Sequence, residues 1–353
     1  MIKLLHSGDW HLDSPLVQLS PEQARVLRRA QEAVPEKLAA ACRQEGCDLV
    51  LLSGDLFDGV YTRDTLSRVK NALEEMSVPV FISPGNHDYA DGNSPYFEGV
   101  WPSNVHIFKK PVVEAVSLPE LACTVYGAGY TAMDCPGLLR DFVPAHNTRY
   151  ALGVLHGDPT RLDSPYCPVT EQQVEKSKLD YLALGHIHKA GSFQKGKTLC
   201  LWPGCPVGRG YDETGEKGYY IVTVDNGVSA RFVGLGLPRF YDLSIPGDAP
   251  LSSVLPPVGN EDFYRITLTG PAEKPDLPAL QAQYAAFPNL ELRDRTVPPT
   301  DLWGSAVEDT FEGIYFKRLR QAIEEADPEG RRQLLLAAKL SRQLLDGQEV
   351  VLP

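Results

Sequence analysis

Five short segments of this 353-residue chain concentrate the side chains that could do chemistry. They are Asp9-Trp10-His11, Gly54-Asp55-Leu56-Phe57-Asp58, Gly85-Asn86-His87-Asp88, His156-Gly157-Asp158 and Gly185-His186-Ile187-His188, and they hold five of the 8 histidines. The donor inventory is oxygen and imidazole without thiolate: Asp9, His11, Asp55, Asn86, His156, His186 and His188. Such a set suits Mn, Fe, Co or Zn better than Ca or Mg, which prefer all-oxygen shells. Seven donors are too many for one closed tetrahedral site and fit two metals sharing a bridging carboxylate. A bridged pair about 3.5–4 Å apart acidifies a bound water and clamps the oxygens of a phosphoryl group during in-line displacement. A lone His or Asp in a loop is ordinarily just solvated or hydrogen-bonded. The five segments together, each just past an apolar run, are what point to a metal site.

Those apolar runs suggest how the segments are brought together. Ile2–Leu5, Leu49–Leu52 and Val78–Ile82 read as covered strands. Between them lie helical patterns: one from Ser20-Pro21-Glu22-Gln23, a capping box with Pro in the first turn, and one over Thr62–Met76. Pro35 inside the first pattern predicts a kink or a second helix start. This βαβαβ order implies a parallel sheet with helices packed on it. Open α/β sheets place ligands past the carboxyl ends of their strands, where the polar segments lie. From about 105 to 235 short strand-like runs dominate, and Asp225-Asn226-Gly227 marks a hairpin, so a second sheet packing on the first is expected. Gly234–Pro238 reads as a linker. Beyond it come strand-like runs at Phe240–Ile245 and Phe263–Leu268, then amphipathic helices over about 308–326 and from Asp327-Pro328 onward.

Composition excludes several classes. No stretch approaches the roughly 18 apolar residues of a membrane span, so no membrane partner is expected. The first apolar run is too short for a secretory signal core. The 7 cysteines form no CxxC pair and read as free thiols in a reducing cytoplasm. The net charge of −12 is the wrong sign for a protein holding nucleic acid by charge alone. The chain up to residue 235 carries 22 basic and 28 acidic side chains, so neither part is basic. At the metal site the balance reverses, because two divalent ions would outweigh Asp9 and Asp55. Local potential decides whether a phosphodiester enters.

The set D-x-H, GD-x-x-D, GNH-D, H-G and GH-x-H resembles the calcineurin-like metallophosphoesterases over about residues 1–235. The resemblance implies a four-layer α/β/β/α sandwich. It implies that Asp9, His11 and His188 hold one metal, that Asn86, His156 and His186 hold the other, and that Asp55 bridges. His87 would protonate the leaving oxygen, and Asp58 and Asp88 would orient imidazoles. The segments 9–15, 54–58 and 185–189 resemble the SbcD-type DNA-repair exonuclease subunits, closest to their YhaO-like members. Trp202-Pro203-Gly204-Cys205-Pro206 and Glu213-x-Gly215-x-Lys217-Gly218 resemble that branch's last core strands. Eukaryotic and archaeal relatives carry His where this chain has Asp58, so no role of that His transfers.

This branch implies a nuclease domain over 1–235, a smaller α+β capping domain over 240–305 and a helical segment over 306–353. The implied activity is two-metal hydrolysis of DNA phosphodiesters, as an exonuclease and also as an endonuclease, most simply with two Mn2+ ions. The implied partners are DNA, an SMC-like coiled-coil ATPase of the SbcC or YhaN type, and a second copy of the chain. Two alternatives stand beside it: a phosphodiesterase for cyclic nucleotides or small phosphoesters, and a non-catalytic scaffold. The apolar faces of the last two helices fit either internal packing or docking on the ATPase.

Overall fold

The structure, a computed structural model, describes residues 1–140, 142–145, 148–299 and 301–347. It divides into two compact units. The first is Met1–Asp242 with Glu261–Tyr264, and the second is Leu243–Asn260 with the described residues from Arg265 onward.

The first unit begins with β1 (Ile2–Ser7), α1 (Pro21–Glu32), α2 (Val34–Glu45), β2 (Leu49–Leu52), α3 (Arg63–Glu75), β3 (Val80–Ile82) and β4 (Val105–Ile107). It continues with β5 (Glu114–Leu118), β6 (Cys123–Gly127), β7 (Tyr150–His156), α4 (Glu171–Ser177), β8 (Tyr181–Gly185), β9 (Gly191–Lys195), β10 (Thr198–Trp202), β11 (Gly218–Val224) and β12 (Val228–Gly234). One sheet runs β12-β11-β1-β2-β3-β4 and the other β5-β6-β7-β8-β10-β9. Strands β1 to β4 are mutually parallel, as are β6, β7, β8 and β10; β11 runs antiparallel beside β1, and β5 and β9 run antiparallel on either side of the second set.

The layers follow from the two-residue period of a strand. Ile2, Leu4, Leu49, Leu51 and Phe81 point inward to meet Tyr150, Leu152, Val154, Tyr181 and Ala183 of the second sheet. Leu5, Val50, Leu52, Val80 and Ile82 point outward and pack with Leu27, Leu38, Val69 and Leu73 of α1 to α3. On the far face Ala151, Leu155, Leu182 and Leu184 pack with Val174 of α4. The result is the expected α/β/β/α sandwich. It also accounts for the apolar faces of α1 to α3, which are core against the first sheet.

Local chemistry sets the helix starts. The Ser20 hydroxyl accepts from Gln23 N–H while the Gln23 side chain accepts from Ser20 N–H, closing the capping box. Pro35 gives a second start: α1 ends at Glu32 with Ala33 as its cap, and the proline sits in the first turn of α2, where its missing N–H costs no helical bond.

The second unit holds most of the three-stranded sheet β13 (Phe240–Pro246), β14 (Phe263–Pro271) and β15 (Leu290–Val297), with α5 (Leu277–Gln283), α6 (Phe311–Glu325) and α7 (Pro328–Leu345). Helix α5 and strand β15 had no distinct periodic signal in the sequence. Helices α6 and α7 contact each other through Tyr315 Oη and Ser341 Oγ at 2.8 Å and through Arg342 and Glu312 at 2.5 Å. Asp327 caps α7 by accepting from Gly330 N–H at 2.7 Å. Among the described residues no helix is long and apolar enough to cross a membrane.

One polar residue pins the two sheets of the first unit together. His6 on β1 is fully buried, with Nδ1 2.7 Å from Tyr181 Oη on β8 and Nε2 3.1 Å from Ser53 Oγ. Burial pushes its imidazole from 6.5 down to about 3. Folded His6 therefore stays neutral where the unfolded chain takes up a proton, so stability present above pH 6.5 is lost as pH falls from 6.5 toward 3. The stability of the wild type relative to His6→Gln, from urea unfolding of metal-free protein, should fall by about 1.4 kcal/mol per pH unit below the unfolded value. A difference that stays constant under acidification would contradict this account.

Candidate metal centre

The five segments converge where the strands of both sheets end. Asp9 follows β1, Asp55 follows β2, Asn86 follows β3, His156 ends β7, and His186 follows β8. The loops interlock through their backbones: Asp9 N–H donates to Gly54 O at 2.8 Å and His11 N–H to Asp55 O at 3.0 Å. Asp9, His11, Asp55 and His186 all adopt positive φ, of 52°, 47°, 50° and 92°. Left-handed backbone at non-glycine residues is costly and clusters at functional sites. Gly54, at φ 92°, is required by the close approach as well. A Cβ there would lie 2.6 Å from Ser83 O and 2.8 Å from His156 Nδ1.

Every expected donor is in the cluster. Asp55 Oδ2 stands between two imidazoles, 3.8 Å from His11 Nε2 and 3.4 Å from His156 Nε2. Its Oδ1 accepts from His87 N–H at 2.8 Å. On one side Asp9, His11 and His188 group together, with His11 Nε2 3.0 Å from His188 Nε2. On the other, Asn86 Oδ1 lies 2.9 Å from His156 Nε2 and 3.2 Å from His186 Nδ1. His156 Nδ1 is 2.8 Å from Ser53 O, so it carries the proton and its Nε2 lone pair faces the cluster. His186 is tied in by its N–H, which donates to Asp9 Oδ1 at 2.9 Å.

Four features fit a bound cation. Asp9 Oδ2 is buried with no hydrogen-bond partner among the described residues, which is costly for a carboxylate oxygen. The Nε2 atoms of His11 and His188 face the same space, and each ring has a carboxylate at its Nδ1. Burial holds the His11 and His186 imidazoles at about 3 and depresses His156, so all three are neutral and able to ligate. Burial also pushes Asp9 up, and Asp55 up to about 6. These shifts are those of anionic groups taken from water with too little positive charge beside them, which divalent ions would supply.

Carboxylates behind the imidazoles complete the centre. Asp58 Oδ1 lies 3.2 Å from His11 Nδ1 and 2.7 Å from His87 Nδ1. Burial would raise the Asp58 carboxyl, but the hydrogen bonds from His11 and His87 outweigh it and hold it well below the carboxylate range. The same bond holds the His87 imidazole above its ordinary value. The His87 side chain is 43 % exposed while those of His11 and His156 are sealed, so His87 is the imidazole open to an incoming substrate.

Asp88, expected to orient an imidazole, bonds instead to backbone N–H groups and to Tyr96 among the described residues. Its Oδ1 accepts from Gly85 N–H and Asp55 N–H, and its Oδ2 from Leu56 N–H, Phe57 N–H and Tyr96 Oη–H, at 2.6–3.3 Å. It is the anchor of the Gly54–Phe57 loop and places Asp55 through the backbone. Residues that sequence reasoning left without chemistry also enter. The ring of Tyr166 packs 4.9 Å from that of His186, and Glu213 lies 2.5 Å from His188 Nδ1. In the neighbouring loops Arg161 pairs with Asp163, while Arg209 turns inward to Asp58 and Glu213.

A buried carboxylate set between two pairs of imidazoles, in loops that close over the ends of a double sheet, belongs to metal-dependent hydrolysis of phosphate esters. The chain is a member of the calcineurin-like phosphoesterases, whose family pattern matches residues 2–190. It is 34 % identical over 243 residues to the Bacillus subtilis (strain 168) protein named "uncharacterized metallophosphoesterase YhaO", the match covering 64 % of this chain and 58 % of that protein. It is 24 % identical over 277 residues to the SbcD component of the nuclease SbcCD from the same organism, covering 65 % of this chain and 68 % of that protein. These relatives fall in the branch that the motifs resemble. Among solved structures TT1561 of Thermus thermophilus superposes with a TM-score of 0.43 at 11 % identity, over 66 % of this chain and 99 % of that one.

Removing the anchor tests its structural role. Asp88→Ala leaves four N–H groups and a hydroxyl without their acceptor, so it should destabilise the fold by about 3 kcal/mol or more in urea unfolding. A loss below about 1 kcal/mol would mean that water or a rearranged loop replaces the carboxylate.

Proposed function

We propose that the protein is a DNA phosphodiesterase, an exonuclease with endonuclease activity, working with two divalent cations, most simply Mn2+. The observation that carries the two-cation reading is Asp55 Oδ2, set between His11 Nε2 at 3.8 Å and His156 Nε2 at 3.4 Å. Asp9, His11 and His188 would hold one ion, Asn86, His156 and His186 the other, and Asp55 would contact both. When bound, the pair would supply Lewis-acid polarisation of the phosphoryl oxygens and an acidified water as nucleophile.

The chain's own residues do the rest. His87 Nδ1 is engaged by Asp58, which leaves Nε2–H as the proton it can deliver to the departing sugar oxygen. Asp58 fixes the His87 ring and the His11 ring with the same oxygen, so the proton donor and the metal site are kept in register. The DNA preference rests on the nuclease named among the relatives and on the resemblance, which implies a capping domain in the residues that follow the first unit. Seven buried free cysteines suit a cytoplasmic enzyme.

His87→Ala should lower cleavage of single- and double-stranded DNA by about 10²–10⁴-fold while bound manganese, measured by equilibrium dialysis, stays within about twofold of wild type. Full rate in that variant would remove His87 from the chemistry. DNA, cyclic nucleotides and a chromogenic diester offered side by side with Mn2+ test the substrate class. Turnover confined to the small substrates would sink the DNA reading.

The same proposal includes a coiled-coil ATPase partner docked on α6 and α7. Phe311, Leu344 and Leu345 are 88 %, 66 % and 53 % exposed, so the contact between the two helices leaves large apolar side chains uncovered. A chain ending before residue 305 should cleave a chromogenic diester at the full-length rate but fail to co-purify with an ATPase of the SbcC or YhaN type. Retained co-purification would place the docking surface elsewhere.

A further inference from the structure

One stretch outside the five segments converges on the centre. Glu213 Oε1 lies 2.5 Å from His188 Nδ1, while Oε2 accepts the Arg209 N–H at 2.8 Å and faces the Cys205 thiol at 3.5 Å. The carbonyl of His188 accepts from Lys217 Nζ at 3.2 Å and from Cys205 N–H at 3.2 Å. Segment 205–217 therefore grips His188 by its ring and by its backbone. The Arg209 guanidinium stands between two carboxylates, with Nη2 3.4 Å from Glu213 Oε1 and Nη1 3.6 Å from Asp58 Oδ2. Asp58 in turn contacts His11 and His87. Glu213 and Asp58 are each 10 % exposed, so water screens these charges little.

The donor and acceptor roles close in one way. A carboxylate at Nδ1 keeps the proton on that nitrogen and frees the Nε2 lone pair, which faces His11 Nε2 at 3.0 Å. Arg209 Nη2 is 3.3 Å from the same Nδ1, but guanidinium is a donor only and cannot accept that proton. Arg209 thus acts on the ring through Glu213. We infer that Glu213 is the positioning residue that fixes the tautomer and orientation of His188, and that Arg209 joins it to Asp58 so that one charged strut sets three imidazoles, His11, His87 and His188, together. The ring geometry stands by itself; its consequence for metal binding rests on the two-cation reading.

The test uses the full-length chain labelled with 15N-histidine. In metal-free protein at alkaline pH, long-range 1H–15N spectra should show wild-type His188 protonated at Nδ1 and bare at Nε2. Glu213→Ala should turn that signal into a mixture of tautomers and leave His156, held by Ser53 O, unchanged. Glu213→Gln keeps a carbonyl acceptor and should restore the wild-type tautomer. In cobalt titrations Glu213→Ala should weaken one ion about 10–100-fold and spare the other. A His188 tautomer unaltered in Glu213→Ala overturns the inference. Should that variant not fold, Arg209→Met must move the His11 and His188 resonances together, and an absence of movement overturns it equally. Tautomer shifts in a protein that cleaves no DNA would refute the nuclease reading and leave the role of Glu213 standing.

Discussion

Two carboxylates, Asp9 and Asp55, lie buried at the meeting point of two sheets, and the rest of the first unit is arranged around them. Removing an ionised carboxylate from water is costly, and it persists inside a protein only when fixed dipoles, hydrogen bonds or cations replace the lost hydration. Here one oxygen of each carboxylate is satisfied by a backbone N–H, from His186 and His87. Asp9 Oδ2 has no hydrogen-bond partner among the described residues, and Asp55 Oδ2 faces two imidazoles. The unmet demand is for positive charge at one place. The loops accept left-handed backbone at four non-glycine positions to keep the oxygens there.

The double sheet makes that arrangement possible. Parallel strands end at a common rim, so loops remote in sequence arrive side by side without long excursions. Residues 9, 55 and 86 come from one sheet and 156, 186 and 188 from the other. The inter-sheet core of Leu4, Leu51, Leu152 and Ala183 sets how close those two groups stand. The centre is thus a property of sheet-on-sheet packing more than of any one loop. His6, bonded to Tyr181 across the same interface, is a polar part of that packing.

Much of this was legible in the residue pattern. Continuous apolar runs such as Leu49-Val50-Leu51-Leu52 mark strands covered on both faces, and glycines and polar residues just past them mark the rim. What escaped has physical reasons. Asp88 lies in a motif with His87 and so reads as an imidazole partner, yet its five donors come mostly from backbone, whose direction no side-chain pattern records. Glu213 lies 25 residues beyond His188, in a segment of irregular backbone whose path depends on tertiary contacts. In the second unit β15 reads Leu-Glu-Leu-Arg-Asp-Arg-Thr-Val, charged at alternate and adjacent positions, so its strand period is masked.

The order of the first sheet carries a consequence for how the chain acquires its centre. Strand β1 is interior, paired on one side with β2 and on the other with β11, so Ile2 meets Val224. A chain emerging from the ribosome amino end first holds β1 and β2 early, but β11, the second neighbour of β1, begins only at Gly218. Until then one edge of β1 stays open to other strands, and contacts of such sequence range form slowly. Glu213 lies just ahead of β11, so His188 gains its partner at the same late step. A cation arriving before that closure would meet only part of its final surroundings. The last pairing of the sheet and the last carboxylate behind His188 thus come from one stretch of chain.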